Sequence, residues 1–211
     1  LARQGAKVVV SGRRSGRIEE VVSEIESAGG EALALLCDVE HSEQIEAAVQ
    51  AVEARFGQLD IAVANAGFAV GGRVEKLGAD DWRRQFNVNV VGAALTARYA
   101  LPALRKTRGR LAMVGSVTAF ICPPGSAAYA ASKHALRAIG QTLSAELHGS
   151  GVSCTTVHPG YVESEIAQVD NQGVFDPSRD DRRPKQLMWP TERAASVMVK
   201  AIQRRRRGRV G

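Results

Sequence analysis

Tyr129 and Lys133 stand four residues apart in the run from Ser126 to Ala135. In a helix, positions i and i+4 share a face, so phenol and ammonium point into the same space. A phenol is a poor base at neutral pH, because its reference pKa is about 10. A cation held close favours the phenolate and lowers that value. The pair is therefore suited to moving a proton. The spacing also arises by chance on any helix with an exposed Tyr and Lys, so other residues must decide.

Those residues lie at strand ends. Ser116 precedes Tyr129 by 13 positions and ends the apolar run 110–115, which reads as a buried strand. Open α/β sheets place ligands at the C-terminal ends of such strands. Pro123, Pro124, Gly125 and Ser126 then break the chain and open the Tyr129 helix. Asn65-Ala66-Gly67 follows a second apolar strand at 59–64, and Pro159-Gly160 follows a third at 152–158. Around these, strands are expected at 7–11 and 32–37. Helices are expected at 15–28, at 42–56 with Ser42 as cap, from Asp80 or Asp81 to Leu104, at 129–148, and from a Thr191 cap to Ile202. Alternation of this kind implies a parallel, doubly wound sheet with helices on both faces, in one domain over 1–211.

With these residues in place, the chain resembles the short-chain dehydrogenase/reductase family over nearly its whole length. Asn65-Ala66-Gly67 is similar to the family's Asn-Ala-Gly turn. The run from Asn89 to Gly92 resembles its catalytic-asparagine helix. Ser116, Tyr129 and Lys133 match its catalytic serine, tyrosine and lysine. Pro159-Gly160-Tyr161-Val162-Glu163-Ser164 resembles the Pro-Gly segment beside the nicotinamide, with Ser164 where the family often has Thr.

The resemblance implies a Rossmann-like fold and hydride transfer between a nicotinamide cofactor and a carbonyl or secondary alcohol. In it, Tyr129 is the general acid or base, and Lys133 lowers its pKa and bonds the cofactor ribose. Ser116 holds the substrate oxygen, and Asn89 positions a water linking Lys133 to solvent. Gly67 lets the cofactor pass close by, Val162 and Ser164 hold the carboxamide, and Asp38-Val39 meets the adenine. Asp38 also reads as a turn residue. A homodimer or homotetramer is implied through helices 80–104 and 129–148, with Arg98 and the apolar Ala93, Ala94 and Ala97 on the surface. A cytoplasmic enzyme with a small-molecule substrate is the corresponding expectation.

The same resemblance exposes a gap. No Gly-x-Gly-x-x-Gly or Thr-Gly-x-x-x-Gly-x-Gly occurs in the chain. The family's opening strand and Gly-rich turn have no counterpart, and Leu1 to Ala6 reads as the last turn of its first helix. The expectation is a fold lacking the family's first strand and truncated at both ends. Two strand edges, at 7–11 and 59–64, are then unpaired inside the sheet, and a helix N-terminus for the pyrophosphate is absent. A catalytically silent binding or regulatory member, or an inactive fragment of this fold, is the competing reading.

The strand at 7–11 ends in Ser11-Gly12-Arg13-Arg14. An acidic residue at this place bonds the ribose 2′-hydroxyl of NAD, whereas Arg accommodates the 2′-phosphate of NADP. Gly12 stands where the acid would be, and two guanidinium groups follow. NADP(H) is therefore expected over NAD(H). The polar segment 163–190 has little periodicity and reads either as a substrate lid or as a surface loop. Gln168, Val174, Phe175, Leu187, Met188 and Trp189 are its candidate contacts.

Composition fits a globular protein, with 45% hydrophobic and 24% charged residues. No apolar run approaches the roughly 20 residues that span a bilayer. Cys37, Cys122 and Cys154 are too few and too scattered for a disulfide framework, and no Cys/His cluster has metal-ligand spacing. His158 reads as a packed histidine. The net charge of +6 is partly local to the arginines of 204–209. They carry no interleaved aromatics, so a solvated helix end is the simpler reading and nucleic acid is not expected. Contact with an anionic membrane surface is left open.

Overall fold

The computed structural model describes residues 1–181 and 183–205, and the backbone of 208–210. Arg182, Arg206, Arg207 and Gly211 lie outside the described residues. So does part of one expectation, the basic cluster at 204–209.

Strands and helices alternate in the order β1 (Val8–Gly12), α1 (Ser15–Ser27), β2 (Ala32–Leu36), α2 (Ser42–Phe56) and β3 (Ile61–Ala64). Then follow α3 (Ala79–Phe86), α4 (Ala93–Thr107), β4 (Arg110–Val114), α5 (Ala127–Glu146), β5 (Ser153–His158), α6 (Thr191–Gln203) and β6 (Gly208–Val210). All strand pairings are parallel. Helix α1 packs on β1 and β2, α4 on β3 and β4, α5 on β5, and α6 on β4 and β5. The result is an α/β architecture of parallel sheets flanked by helices.

The sheet is not continuous. β1 pairs with β2, and β3, β4, β5 and β6 pair in that order, but β1 and β3 do not pair with each other. Both border a cavity of about 580 Å³, lined by Val8, Val9, Ser11 and Gly12 from one side and by Ile61–Ala64, Asn65 and Ala66 from the other. Val63 is 38% exposed there. Unpaired backbone groups on two facing edges cost free energy wherever water does not satisfy them.

The core explains why β4 reads as a continuous apolar run. Leu111, Ala112 and Met113 are fully buried, as expected for a strand covered on both faces. Leu111 and Met113 pack with Ala97, Ala100 and Leu104 of α4 and with Leu136 of α5. Small residues let the helices approach closely. A Cβ on Gly140 of α5 would lie 2.1 Å from Thr156 Oγ1 on β5, so that contact requires glycine.

Three local expectations differ. Ser42 does not cap α2: its hydroxyl turns to Glu43, and the cap position is His41. The Thr191 hydroxyl bonds the Glu163 carbonyl at 2.6 Å instead of capping α6. Ala93 and Ala97 are buried at 5% and 2% exposure, so the apolar alanines expected on the surface of this helix serve the core instead. Arg205, from the basic cluster, donates to the carbonyls of Arg108, Gly109 and Gly151 and ties the end of α6 to neighbouring loops.

Candidate active site

The helix that carries Asn89 is interrupted. Between α3 and α4 the chain winds as a π-helix over Asn87–Gly92, a rare geometry frequent at functional sites. Asn89 is 1% exposed. Its Oδ1 accepts from the Phe68 N–H at 3.1 Å, and its Nδ2 donates to Phe68 O and Ser132 Oγ, each at 3.1 Å. The side chain thus pins the turn after β3 to α5. Gln85 braces the same turn, donating to Phe68 O and accepting from the Val70 N–H.

Tyr129 and Lys133 share a face of α5, as their spacing requires. Lys133 is 5% exposed, and its ammonium donates to Val114 O at 2.9 Å, at the end of β4. Its Nζ lies 5.7 Å from the centre of the Tyr129 ring. Ser116 follows β4 and caps the short 3-10 turn Val117–Ala119, its hydroxyl accepting from the Thr118 N–H at 3.2 Å. The Ser116 and Thr118 hydroxyls both stand close enough to the phenol to favour its ionised form. Four chemical groups, two from the turn after β4 and two from α5, therefore converge at one strand end.

The electrostatics differ from the simple expectation. Burial raises the Tyr129 phenol above its ordinary value. The Ser116 and Thr118 hydroxyls and the Arg183 charge pull it back. Lys133 is not among the groups that lower it, because the same burial draws its own ammonium down to about 8. A desolvated cation is partly neutral near that pH, which weakens it as a permanent charge. His158 is 4% exposed, its Nδ1 within 3.3 Å of Ser116 O and its ring edge-on to Phe120. Burial holds it below the usual imidazole range, so it is a packed histidine.

The residues expected to hold a cofactor do not all border one cavity: Pro159, Gly160 and Val162 line a separate small one. Ser11, Val39, Asn65 and Ala66 line the 580 Å³ cavity. A Cβ on Gly67 would meet Asn89 Oδ1 at 3.1 Å and Lys133 Nζ at 3.6 Å, so this backbone runs against the buried Lys133 ammonium. Pro159 and Gly160 follow β5, where Pro159 O accepts from the Val117 N–H. Arg13 and Arg14 are exposed at the end of β1, but not idle. Arg13 donates to Gly173 O at 3.0 Å and lies 3.9 Å from Asp38. Arg14 pairs with Glu165 at 2.5 Å and stacks over the Phe175 ring.

Segment 163–190 is built, not formless. The Glu163 N–H donates to Trp189 O and the Trp189 N–H to Tyr161 O, and Val169 bridges Phe175. Gln168 bonds Pro177 O. Val174 and Leu187 are exposed. Leu187 and Trp189 line a small cavity of about 80 Å³ behind the Pro-Gly turn, with Tyr161 and Val162. Among the described residues there is no cluster of His, Cys, Asp or Glu able to hold a metal, and no helix long and apolar enough to cross a membrane.

The sequence model of the short chain dehydrogenase family matches residues 1–174. The chain belongs to that family. Relatives of this short-chain dehydrogenase include an uncharacterized oxidoreductase of Myxococcus xanthus, 32% identical over 97% of the chain and 77% of the relative. A short chain dehydrogenase of Pseudocercospora fijiensis is 37% identical over 81% of the chain and 56% of the relative. Among solved structures, a gluconate 5-dehydrogenase from Burkholderia cenocepacia in complex with NADP and tartrate superposes with a TM-score of 0.74 at 28% identity, covering 79% of the chain and 66% of that protein. An alcohol dehydrogenase from Thermococcus sibiricus shares the fold over the whole chain and 87% of its own, with a TM-score of 0.85 at 24% identity. The chain is thus an oxidoreductase of the short-chain dehydrogenase family, whose members bind a nicotinamide cofactor.

Two groups escaped the sequence. Thr118 carries no motif, and only its position two residues after Ser116 marks it. Arg183 lies in a run of mixed charges that gives no hint of its partners.

Proposed function

We propose that the protein transfers hydride between NADP(H) and a carbonyl or secondary alcohol, with Tyr129 as the proton donor or acceptor. The observation that carries this reading is the convergence of the Tyr129 phenol, the Ser116 and Thr118 hydroxyls and the buried Lys133 ammonium at the end of β4. The residues present fit a dinucleotide. A glycine backbone at Gly67 runs beside Lys133, and the ammonium has donors beyond the one given to Val114 O. Two guanidinium groups stand at the end of β1.

The bound cofactor would supply the hydride. Lys133 would hold the nicotinamide ribose. Val162 and Ser164 would hold the carboxamide, with Pro159 and Gly160 shaping that segment. Asp38 and Val39 would border the adenine, while Ser11, Arg13 and Arg14 receive the 2′-phosphate. Ser116 would orient the substrate oxygen toward the phenol and stabilise its developing charge. The Asn89 amide is committed to Phe68 and Ser132, so its share is to fix the Asn65-Ala66-Gly67 turn. Ordering of a water near Lys133 would then fall to the π-helical backbone around it.

The preference for NADP(H) rests on Arg13 and Arg14 and is supported by the NADP bound in the Burkholderia cenocepacia relative. Segment 163–190 acts as the substrate lid, and the protein works as a cytoplasmic homodimer or homotetramer on a small molecule. The test is oxidation of NADPH against a panel of aldehydes, ketones and keto acids, with NADH in parallel. Turnover with NADPH on at least one carbonyl class supports the proposal; preference for NADH refutes the cofactor assignment.

A further inference from the structure

We propose that Arg183 is a positioning residue for the reaction, a clamp that fixes the Val162–Ser164 segment against the acid–base centre. This deepens the proposed function and rests on it. The guanidinium's donors define the clamp. An arginine has five N–H groups in a planar fork, and here hydrogen bonds leave all three of its nitrogens. Nε donates to Asp181 Oδ1 at 2.8 Å and Nη2 to Asp181 Oδ2 at 2.7 Å, a bidentate pair. Nη1 donates to Val162 O at 2.9 Å and reaches Ser164 Oγ at 3.3 Å, while Nη2 also donates to Ser164 O at 2.8 Å.

An ordinary loop ion pair leaves its fork in water. This fork is 17% exposed and spends its other side on two backbone carbonyls nineteen and twenty-one residues away. Those carbonyls belong to the residues that would grip the carboxamide, so their orientation sets where the Ser164 hydroxyl and the local N–H groups point. Asp181 anchors the clamp: it also accepts the Arg183 backbone N–H at 3.0 Å, and its carboxyl is held down at about 2 by the guanidinium. Lysine cannot replace this arrangement, because an ammonium has no planar fork to span a carboxylate and two carbonyls.

A second observation ties Arg183 to the chemistry. Its charge acts on the Tyr129 phenol. Around that phenol stand Lys133 from the same helix and the Ser116 and Thr118 hydroxyls beyond β4, while His158 of β5, held below the usual imidazole range by burial, lies beside Ser116 O. Arg137 of α5 is stacked on Phe120. Lys133 loses its proton near pH 8, whereas a guanidinium stays charged throughout. Arg183 is therefore a permanent cation at the site, and its loss moves the phenol's ionisation to higher pH.

The test uses the full-length natural protein in the alcohol-oxidation direction, where Tyr129 must be deprotonated. Arg183→Met is expected to lower kcat on the order of 10- to 100-fold, the cost of roughly 1 Å misplacement, and to shift the rising limb of kcat against pH upward. Arg183→Lys is expected to lower kcat while leaving the limb in place, since it keeps charge without the fork. A wild-type kcat and limb in Arg183→Met overturns the proposal, as does a loss that follows its melting temperature with no limb shift. If Arg183→Met does not fold, Asp181→Asn carries the test: kcat falls severalfold with the limb unmoved, and an unchanged kcat overturns the clamp. Full activity in Tyr129→Phe is a separate result, which removes the underlying reading without bearing on the clamp.

Discussion

Arg14 offers two substitutions with opposite signs. In the structure its guanidinium pairs with Glu165 at 2.5 Å, while Arg17 lies 3.9 Å from the same carboxylate. If Arg14 receives the 2′-phosphate, that phosphate must displace Glu165. A charge-assisted hydrogen bond to phosphate contributes about 1.5–3 kcal/mol. The pair it replaces is half-exposed, at 51% for Arg14 and 38% for Glu165, and such pairs contribute about 0.2–1 kcal/mol. The difference is roughly 1–2 kcal/mol, or about 5- to 30-fold in Kd. Arg14→Met should therefore weaken NADPH binding by about that factor and leave NADH within about twofold. Glu165→Gln should do the reverse, tightening NADPH up to about fivefold by freeing Arg14, again without effect on NADH. Both changes should shrink as salt is added. The assay is nicotinamide fluorescence titration of both cofactors at two ionic strengths. Equal weakening of NADPH and NADH by Arg14→Met, or weaker NADPH binding in Glu165→Gln, would refute the reasoning.

Two further outcomes concern stability. Lys133 has a folded pKa of about 8 against 10.5 for the free group; between those values the unfolded chain binds more protons, so stability rises with pH through this window and is lost as pH falls toward 8. The charged lysine costs about 3 kcal/mol below pH 8, so Lys133→Met should melt higher relative to the parent at pH 7 than at pH 10; a difference independent of pH would contradict this. Gly140→Ala should lower the melting temperature by roughly 2–10 °C, because its Cβ meets Thr156 Oγ1 at 2.1 Å between packed elements; an unchanged value would show that α5 can shift.

The sequence was most informative where chemistry depends on local spacing. Tyr129 and Lys133 are neighbours by helical period alone, and Asn65, Ser116 and Pro159 follow apolar runs that became β3, β4 and β5. Residues that act at long range left no such trace. Arg14 meets Glu165 across 151 positions, and Arg183 meets Val162 through a segment with no periodicity. The π-helix at Asn87–Gly92 has the same side-chain pattern as the α-helix around it, so only backbone geometry reveals it. Ala93 and Ala97 look alike on a surface or in a core, and the packing of α4 decided the matter. The balance of pKa values escaped because burial, which dominates both Tyr129 and Lys133, is a property of the whole fold.

The central claim is that the Tyr129 hydroxyl moves the proton while other groups hold the cofactor. It is tested most directly by Tyr129→Phe, assayed side by side for NADPH affinity and for turnover on a carbonyl substrate of the parent protein. NADPH is expected to bind within a few-fold of the parent and turnover to disappear, because the ring keeps its packing and loses only the proton donor. Turnover retained at near-parent rates would contradict it.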